Sequence, residues 1–274
     1  MIRECVDGVV FYRFRQWVNG SQGEHHLRHA VLTRIGGVSQ APYATLNLGH
    51  TVGDDLSAVE ENHRRALGVV GVAPKKVVSP YQVHGAHVGI VRPVHLGTVQ
   101  AATDALITAT PGVPLLMRFG DCTPVLFFDP VREVVGMAHA GWRGVAAGIV
   151  PATVRTLVER LGCDPVNVQV GIGPTIGPCC YQVGEEVVEA VRDACPPTSA
   201  GREQEPDRIA RRGPDGSWYL DLVGAVRRQL YAAGIPATHI EESGLCTACR
   251  VDEFFSHRAE RGRTGRFGIL IGLA

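Results

Sequence analysis

The sequence has no charge of one sign to spare: 27 lysines and arginines face 27 aspartates and glutamates across 274 residues. A chain so balanced offers no general electrostatic footprint for nucleic acid or an anionic membrane. It also lacks any apolar run of membrane-spanning length. Residues 1–20 carry Arg3, Arg13 and Arg15 with no continuous apolar stretch, so neither an anchor nor an export signal is read and a cytoplasmic location is expected. Without such a signal, the eight cysteines are expected as thiols rather than as a disulfide framework. No internal repeat is visible. A monomer or small homo-oligomer with no nucleic-acid or membrane partner is the expectation.

What is present is an ordinary globular composition, 45% hydrophobic and 20% charged, long enough for one large domain over residues 1–274. Strand signals cover Val9–Phe14, Ala30–Arg34, Lys76–Ser79, Ala86–Arg92 and Val166–Ile172, with short Leu46–Gly49 alternating weakly. Three central apolar runs, Val113–Phe119, Val125–Phe128 and Val134–His139, form the expected core. The last two are joined by an Asp129-Pro130 turn. Helical spacing follows Asp54-Asp55 through Ala58, Val59, His63, Ala66 and Leu67. It recurs over Gly144–Leu161, where Pro151 should kink the helix and Gly162 end it. Two more helices are predicted over Gly184–Ala194 and Trp218–Gly234. Pro196–Pro214 reads as a mobile loop, and Thr238–Glu241 and Phe267–Leu273 as closing strands. Strands and helices mix without strict alternation, which predicts a layered α/β domain of mixed α+β type rather than a doubly wound one.

The chemistry concentrates at strand ends. His84 in Tyr81-Gln82-Val83-His84-Gly85, Cys122 in Asp121-Cys122-Thr123-Pro124, and His139 in His139-Ala140-Gly141-Trp142-Arg143-Gly144 offer three borderline-to-soft donors. Three protein ligands with a fourth position open is the composition of a catalytic zinc site. The bland alternative is a buried cysteine with two hydrogen-bonded histidines. Asp121 would face away from Cys122 on an extended segment, which leaves it to orient a histidine, to act as general base, or to stabilise a turn. His87 is a second, weaker proton-shuttle candidate. Gln82 shares the face of His84 and is a candidate for substrate or water. Arg143, at a strand-to-helix junction flanked by Gly141 and Gly144, could hold an anion or simply cover Trp142. A C-terminal arginine cluster (Arg250, Arg258, Arg261, Arg263, Arg266) is either a solvated rim or an anion holder. Cys246-Thr247-Ala248-Cys249 is half of a structural zinc motif. Adjacent Cys179-Cys180 makes a poor second half, so these four are expected as small buried residues near the pocket.

Thr33-Arg34-Ile35-Gly36-Gly37, Leu46-Asn47-Leu48-Gly49, Gln82-Val83-His84-Gly85, Asp121-Cys122-Thr123-Pro124, His139–Gly144, Gly173–Tyr181, and Phe255-Ser256-His257-Arg258 with Thr264-Gly265-Arg266 together resemble the YfiH/YlmD family. It is also called the laccase-domain, multicopper polyphenol oxidase or FAMIN family. The resemblance runs from about residue 9 to the end. It implies a compact α/β domain of the kind seen in a cysteine-hydrolase-like toxin domain, with zinc on His84, Cys122 and His139. It implies phosphorolysis of adenosine, inosine and methylthioadenosine, and deamination of adenosine, with purine nucleosides and phosphate as partners. In that reading Cys122, His139 and Asp121 are catalytic, and Asn47, Gln82, Arg64, Arg143 and Arg258 bind substrate. Relatives carry arginine after the helix asparagine, whereas here His63 follows Asn62, leaving Arg64 or a protonated His63 to substitute. Ala259 after Arg258 is a second departure.

Two other activities attach to the same residues. One is a cysteine hydrolase, editing a cell-wall precursor, with Cys122 as nucleophile and His139 or His84 as base. The other is a copper oxidase on phenols using the His-Cys-His set with Met137. A multicopper enzyme needs more histidines for its oxygen-reducing cluster, and His25, His26 and His29 sit in a polar N-terminal stretch. A non-catalytic binding module is disfavoured by this gathering of ligand-type residues.

Overall fold

The computed structural model describes residues 1–18, 27–195 and 209–274. Two sheets lie face to face, the first antiparallel throughout and the second mixed. The first runs β1 (Ile2–Val6), β2 (Val9–Arg13), β3 (Leu27–Leu32), β16 (Phe267–Leu273), β8 (Leu115–Phe119) in that spatial order. The second runs β15 (Ile240–Glu242), β11 (Gln169–Ile172), β9 (Thr123–Asp129), β10 (Val134–Ala140), β7 (Ala105–Thr108), β5 (Val88–Ile90). Two ribbons are added, β4 (Ser79–Pro80) beside β6 (Val99–Gln100), and β12 (Gln182–Val183), β14 (Trp218–Leu220), β13 (Ala210–Arg212). A short helix α1 (Arg15–Val18) follows β2. Helix α2 (Leu56–Gly68) packs outside the first sheet, and α3 (Trp142–Ala146), α4 (Ile149–Leu161), α5 (Glu185–Asp193) and α6 (Leu222–Ala232) pack outside the second. The result is a four-layer α/β/β/α domain.

Alternation along the central strands builds these layers. In β9, Val125 and Phe127 face the helices while Leu126 and Phe128 face the other sheet. In β10, Ala138 and Ala140 face the helices, and Val135 and Met137 the sheet. Strands β9, β10 and β16 are buried at every position, and strands covered on both faces read as unbroken apolar runs. Met137 is fully buried in this inter-sheet core. No helix is long and apolar enough to cross a membrane.

Several local expectations are corrected. The 144–161 segment is two helices broken at Gly148, whose φ of 80° lies in the left-handed region. Pro151 sits in the first turn of α4, where a missing N–H costs no intrahelical bond. The 218–234 segment splits into β14 and α6 because Asp221, in extended backbone, caps α6 by accepting from the Gly224 N–H. Leu46–Gly49 forms no strand. Its apolar residues fill the layer under α2, where Asn62 donates to the Thr45 and Asn47 carbonyls. Of the strand expected over Lys76–Ser79, Lys76 ends a one-turn 3-10 segment, Val78 makes an isolated bridge to Leu115 and only Ser79 belongs to a strand, β4. Of the predicted loop over 196–214, residues 196–208 lie outside the described residues and Ala210–Arg212 is a strand. His25 and His26 are likewise outside the described residues.

Candidate metal centre and active site

The register of β9 and β10 pairs His139 with Pro124 and Ala140 with Thr123, so Cys122 and His139 emerge at the same end of the sheet. The loop between β4 and β5 brings His84 to them. The three donor atoms lie within 4.8 Å of one another. His139 is buried, Cys122 half-buried and His84 exposed, so the set opens to solvent on the His84 side. Gly141 continues the strand opposite Cys122. A Cβ there would lie 2.7 Å from Cys122 Sγ and 3.2 Å from His84 Cδ2, so glycine keeps the space clear.

The residue that assembles the site is Asp104, fully buried at the start of β7. Its Oδ2 accepts the N–H groups of Val83 (3.1 Å) and Gly85 (2.8 Å), and its Oδ1 those of His84 (2.9 Å) and of the His139 ring at Nδ1 (2.9 Å). Three successive amides thus wrap one carboxylate oxygen pair. They hold His84 at φ 61°, a left-handed conformation that non-glycine residues adopt only when their surroundings enforce it. With Nδ1 donating to Asp104, Nε2 is the His139 atom left to serve as ligand or base once its proton is given up. Burial works against the Asp104 charge, but His139 and the loop amides outweigh it and hold the carboxyl below its usual range.

Electrostatics favour the ionised donor set. Burial alone would push the Cys122 thiol up, yet His139 and His84 draw it down to about 6. Burial would lower His139, but the Cys122 charge and Asp104 raise it to about 9. A thiolate and two imidazoles with one ring fixed by a carboxylate suit zinc well.

Around these donors opens a cavity of about 760 Å³. Arg118, Arg258 and Arg266 supply its positive side, His257 lines it with them, and Tyr181 and Ile176 form part of its apolar wall. Arg118 donates Nε to the Leu48 carbonyl, and Arg266 donates Nη1 to the carbonyls of Thr264 and Gly265. Neither has a carboxylate within ion-pair distance among the described residues. Burial lowers the pKa of both.

The sequence candidates divide on this geometry. Asp121 lines the cavity but faces away from the histidines: Oδ1 accepts from Thr247 Oγ1 (2.6 Å) and Oδ2 from the Arg258 N–H (2.8 Å). The histidine-orienting carboxylate is therefore Asp104. Asn47 is fully buried. Its Oδ1 accepts the Gly49 and Arg266 N–H groups, and its Nδ2 donates to Asp54 and Gly49, so it braces Arg266. Gln82 lines the cavity with both amide ends bonded to the Arg118 backbone. Arg258 is at the rim, donating Nη1 to the Gln182 carbonyl and lying over the Tyr181 ring. Arg143 is exposed and stacks on Trp142 at 4.5 Å, outside the cavity wall. Arg64 is on the outer face of α2, forked onto Glu61, and does not reach the cavity. Buried His63 bonds the Leu48 carbonyl through Nε2, and burial lowers it to about 4, so it is neutral. His87 bonds Thr103, away from the cavity.

Among the described residues only two clusters could hold a metal: this one, and Cys179, Cys180, Cys246 and Cys249, whose sulfurs also lie within 4.8 Å of one another. The latter are exposed or half-buried, not the small buried residues the sequence suggested. His29 belongs to neither cluster.

Comparison with known proteins bears on the family and the fold. Residues 28–274 match the family described as multi-copper polyphenol oxidoreductase laccase. The purine nucleoside phosphorylase YlmD of Geobacillus stearothermophilus is 41% identical over 251 residues, covering 88% of each chain. The crystal structure of YlmD from that organism superposes with a TM-score of 0.89 at 37% identity, over 98% of this chain and 97% of the other. The YfiH structure from Bacillus licheniformis superposes with a TM-score of 0.87 at 33% identity, over 98% and 97%. Both the motifs and the four-layer fold therefore place this chain in the YfiH/YlmD laccase-domain family, with relatives named as purine nucleoside phosphorylases.

Proposed function

We propose that the chain is a zinc-dependent purine nucleoside enzyme that phosphorolyses adenosine, inosine and methylthioadenosine and deaminates adenosine. The observation that carries this reading is the meeting of the His84–Cys122–His139 donor set with two half-buried guanidinium groups, Arg118 and Arg266, in one cavity, neither within ion-pair distance of a carboxylate among the described residues. Burial disfavours both charges and the carboxylates that act on them (Glu60 on Arg118, Asp121 and Glu260 on Arg266) make no direct ion pair, so an inorganic phosphate in the cavity would give both a direct partner. Zinc held by the three donors supplies Lewis acidity. Arg118 and Arg266, positioned through their backbones by Gln82 and Asn47, hold the anion, with Arg258 at the rim. His139 keeps its proton on Nδ1 for Asp104, and Tyr181 and Ile176 exclude water from one wall. The names of the relatives support phosphorolysis in particular. Arg266→Ala should raise the phosphate KM on the order of tenfold or more, the scale of a lost charge-assisted bond, with a smaller change in adenosine KM. Equal phosphate KM in the variant would remove the anion role.

A second reading, a cysteine hydrolase acting on a cell-wall precursor, is favoured by one observation: the Cys122 sulfur lies within 4.8 Å of the His139 ring nitrogen, whose ring is oriented by Asp104, the arrangement of a nucleophile with its base. It requires that a thiol reagent abolish amide cleavage in metal-free protein. A copper oxidase is supported only by the description of the family model that matches residues 28–274; among the described residues the histidines form no multinuclear cluster, and Met137 is in the core.

A further inference from the structure

We propose that Cys179, Cys180, Cys246 and Cys249 form a second metal centre, an all-sulfur zinc site that clamps one wall of the cavity. This goes beyond the functional reading above and does not depend on it. A tetrahedral zinc with bonds of about 2.3 Å places its sulfurs about 3.8 Å apart. Here Cys249 Sγ lies 3.5 Å from Cys179 Sγ and 3.4 Å from Cys180 Sγ, and all four sulfurs fall within 4.8 Å of one another. Cys249 is thus shared between two neighbours, as expected of sulfurs grouped about a common centre.

Local backbone explains how adjacent cysteines point to one place. Residues 178–180 form a turn, so successive side chains need not alternate as they would in a strand. Gly177 precedes it, and a Cβ there would come within 3.3 Å of Cys179 Sγ. Its N–H donates to Cys246 Sγ at 3.2 Å, a bond that stabilises thiolate charge. The two turns are already laced together: Thr175 and Cys246 form a β-bridge, and the Thr247 N–H donates to the Thr175 carbonyl. Arg211 donates to the Pro178 carbonyl at 3.0 Å, bracing the turn that carries Cys179 and Cys180. Each turn also reaches the cavity. Cys180 precedes Tyr181 in its wall, and Thr247 holds the Asp121 carboxylate. Four exposed or half-buried thiols left free would be open to oxidation, and zinc gives them a stable partner.

The test is zinc stoichiometry with X-ray absorption on the full chain after removal of loosely held metal. The variant His84→Ala/Cys122→Ser removes the first cluster and should retain one zinc surrounded by four sulfurs at about 2.3 Å. The complementary variant Cys179→Ser/Cys249→Ser should lose one zinc relative to wild type. The proposal is overturned if the first variant holds no zinc, whether its four cysteines are alkylated as free thiols or have lost four hydrogens as disulfides. It is equally overturned if the second variant keeps the wild-type stoichiometry. Failure of the functional reading would look different: a wild type with a single, all-sulfur zinc.

Discussion

Replacing Asp104 by asparagine should dismantle the metal centre without touching a ligand. The carboxylate accepts four N–H groups, two on each oxygen. An asparagine must turn its NH2 toward one side. Facing Val83 and Gly85, it opposes two amide donors, and the loop that holds His84 loses both bonds. Facing His84 and His139, it opposes the His84 amide and makes the His139 Nδ1 an acceptor. The ring proton then moves to Nε2, and the nitrogen needed as ligand is blocked. Either way at least two bonds to a charged acceptor are lost, at roughly 1.5–3 kcal/mol each. The cost is therefore about 3–6 kcal/mol, shared between loop stability and metal affinity. Loss of an orienting partner of a ligating histidine typically weakens metal binding 10–100-fold. A zinc competition titration with a chromophoric chelator, paired with urea unfolding, reads both parts. Wild-type zinc affinity together with wild-type unfolding midpoint in Asp104→Asn would refute the assignment of Asp104 as the organiser of the site.

Other outcomes follow from the same geometry. Gly141→Ala places a Cβ 2.7 Å from Cys122 Sγ and should lower zinc affinity at least on the order of tenfold while the circular dichroism spectrum stays native; unchanged affinity would show that the site has slack. Cys122→Ser and His139→Ala should abolish turnover with the fold retained, and full activity in either would end the metal-centred account. Arg64→Ala should leave both KM values unchanged, since Arg64 bonds only Glu61. Buried His29 accepts the Phe14 N–H at Nε2, and burial lowers its pKa from 6.5 to about 3. Because the fold disfavours its protonation, this stability is complete above pH 6.5 and is lost as pH falls toward about 3. The slope is about 1.4 kcal/mol per pH unit, and the total is up to about 5 kcal/mol. Urea unfolding between pH 7 and pH 4.5 should show a shallower decline for His29→Gln, and parallel slopes would contradict this.

Much of the site was legible because its donors lie at the ends of strands buried on both faces. The unbroken apolar runs over 125–128 and 134–139 locate β9 and β10, and antiparallel pairing then brings Cys122 and His139 together. Asp104 was not legible: one carboxylate before the run Ala105–Thr108 looks like a turn residue, and its value comes from amides twenty residues away in sequence. Arg118 was hidden inside an apolar strand. The roles of Asn47 and Gln82 depend on backbone groups of Arg266 and Arg118 that no spacing rule connects to them. The grouping of the four cysteines was not legible because adjacent Cys179-Cys180 lacks the spacing of a second Cys-x-x-Cys pair, and the turn over residues 178–180 brings both sulfurs to Cys249 all the same. Helix breaks at Gly148 and Asp221 were masked by continuous helical spacing, which local caps override.

The central claim is tested most directly by product analysis on adenosine, with and without phosphate, using protein of measured zinc content before and after chelation. The account predicts adenine released in proportion to phosphate, inosine formed without it, and both activities lost with the zinc of the His84–Cys122–His139 centre. Zinc-loaded protein that leaves adenosine untouched, or turnover that persists after that zinc is removed, would contradict it.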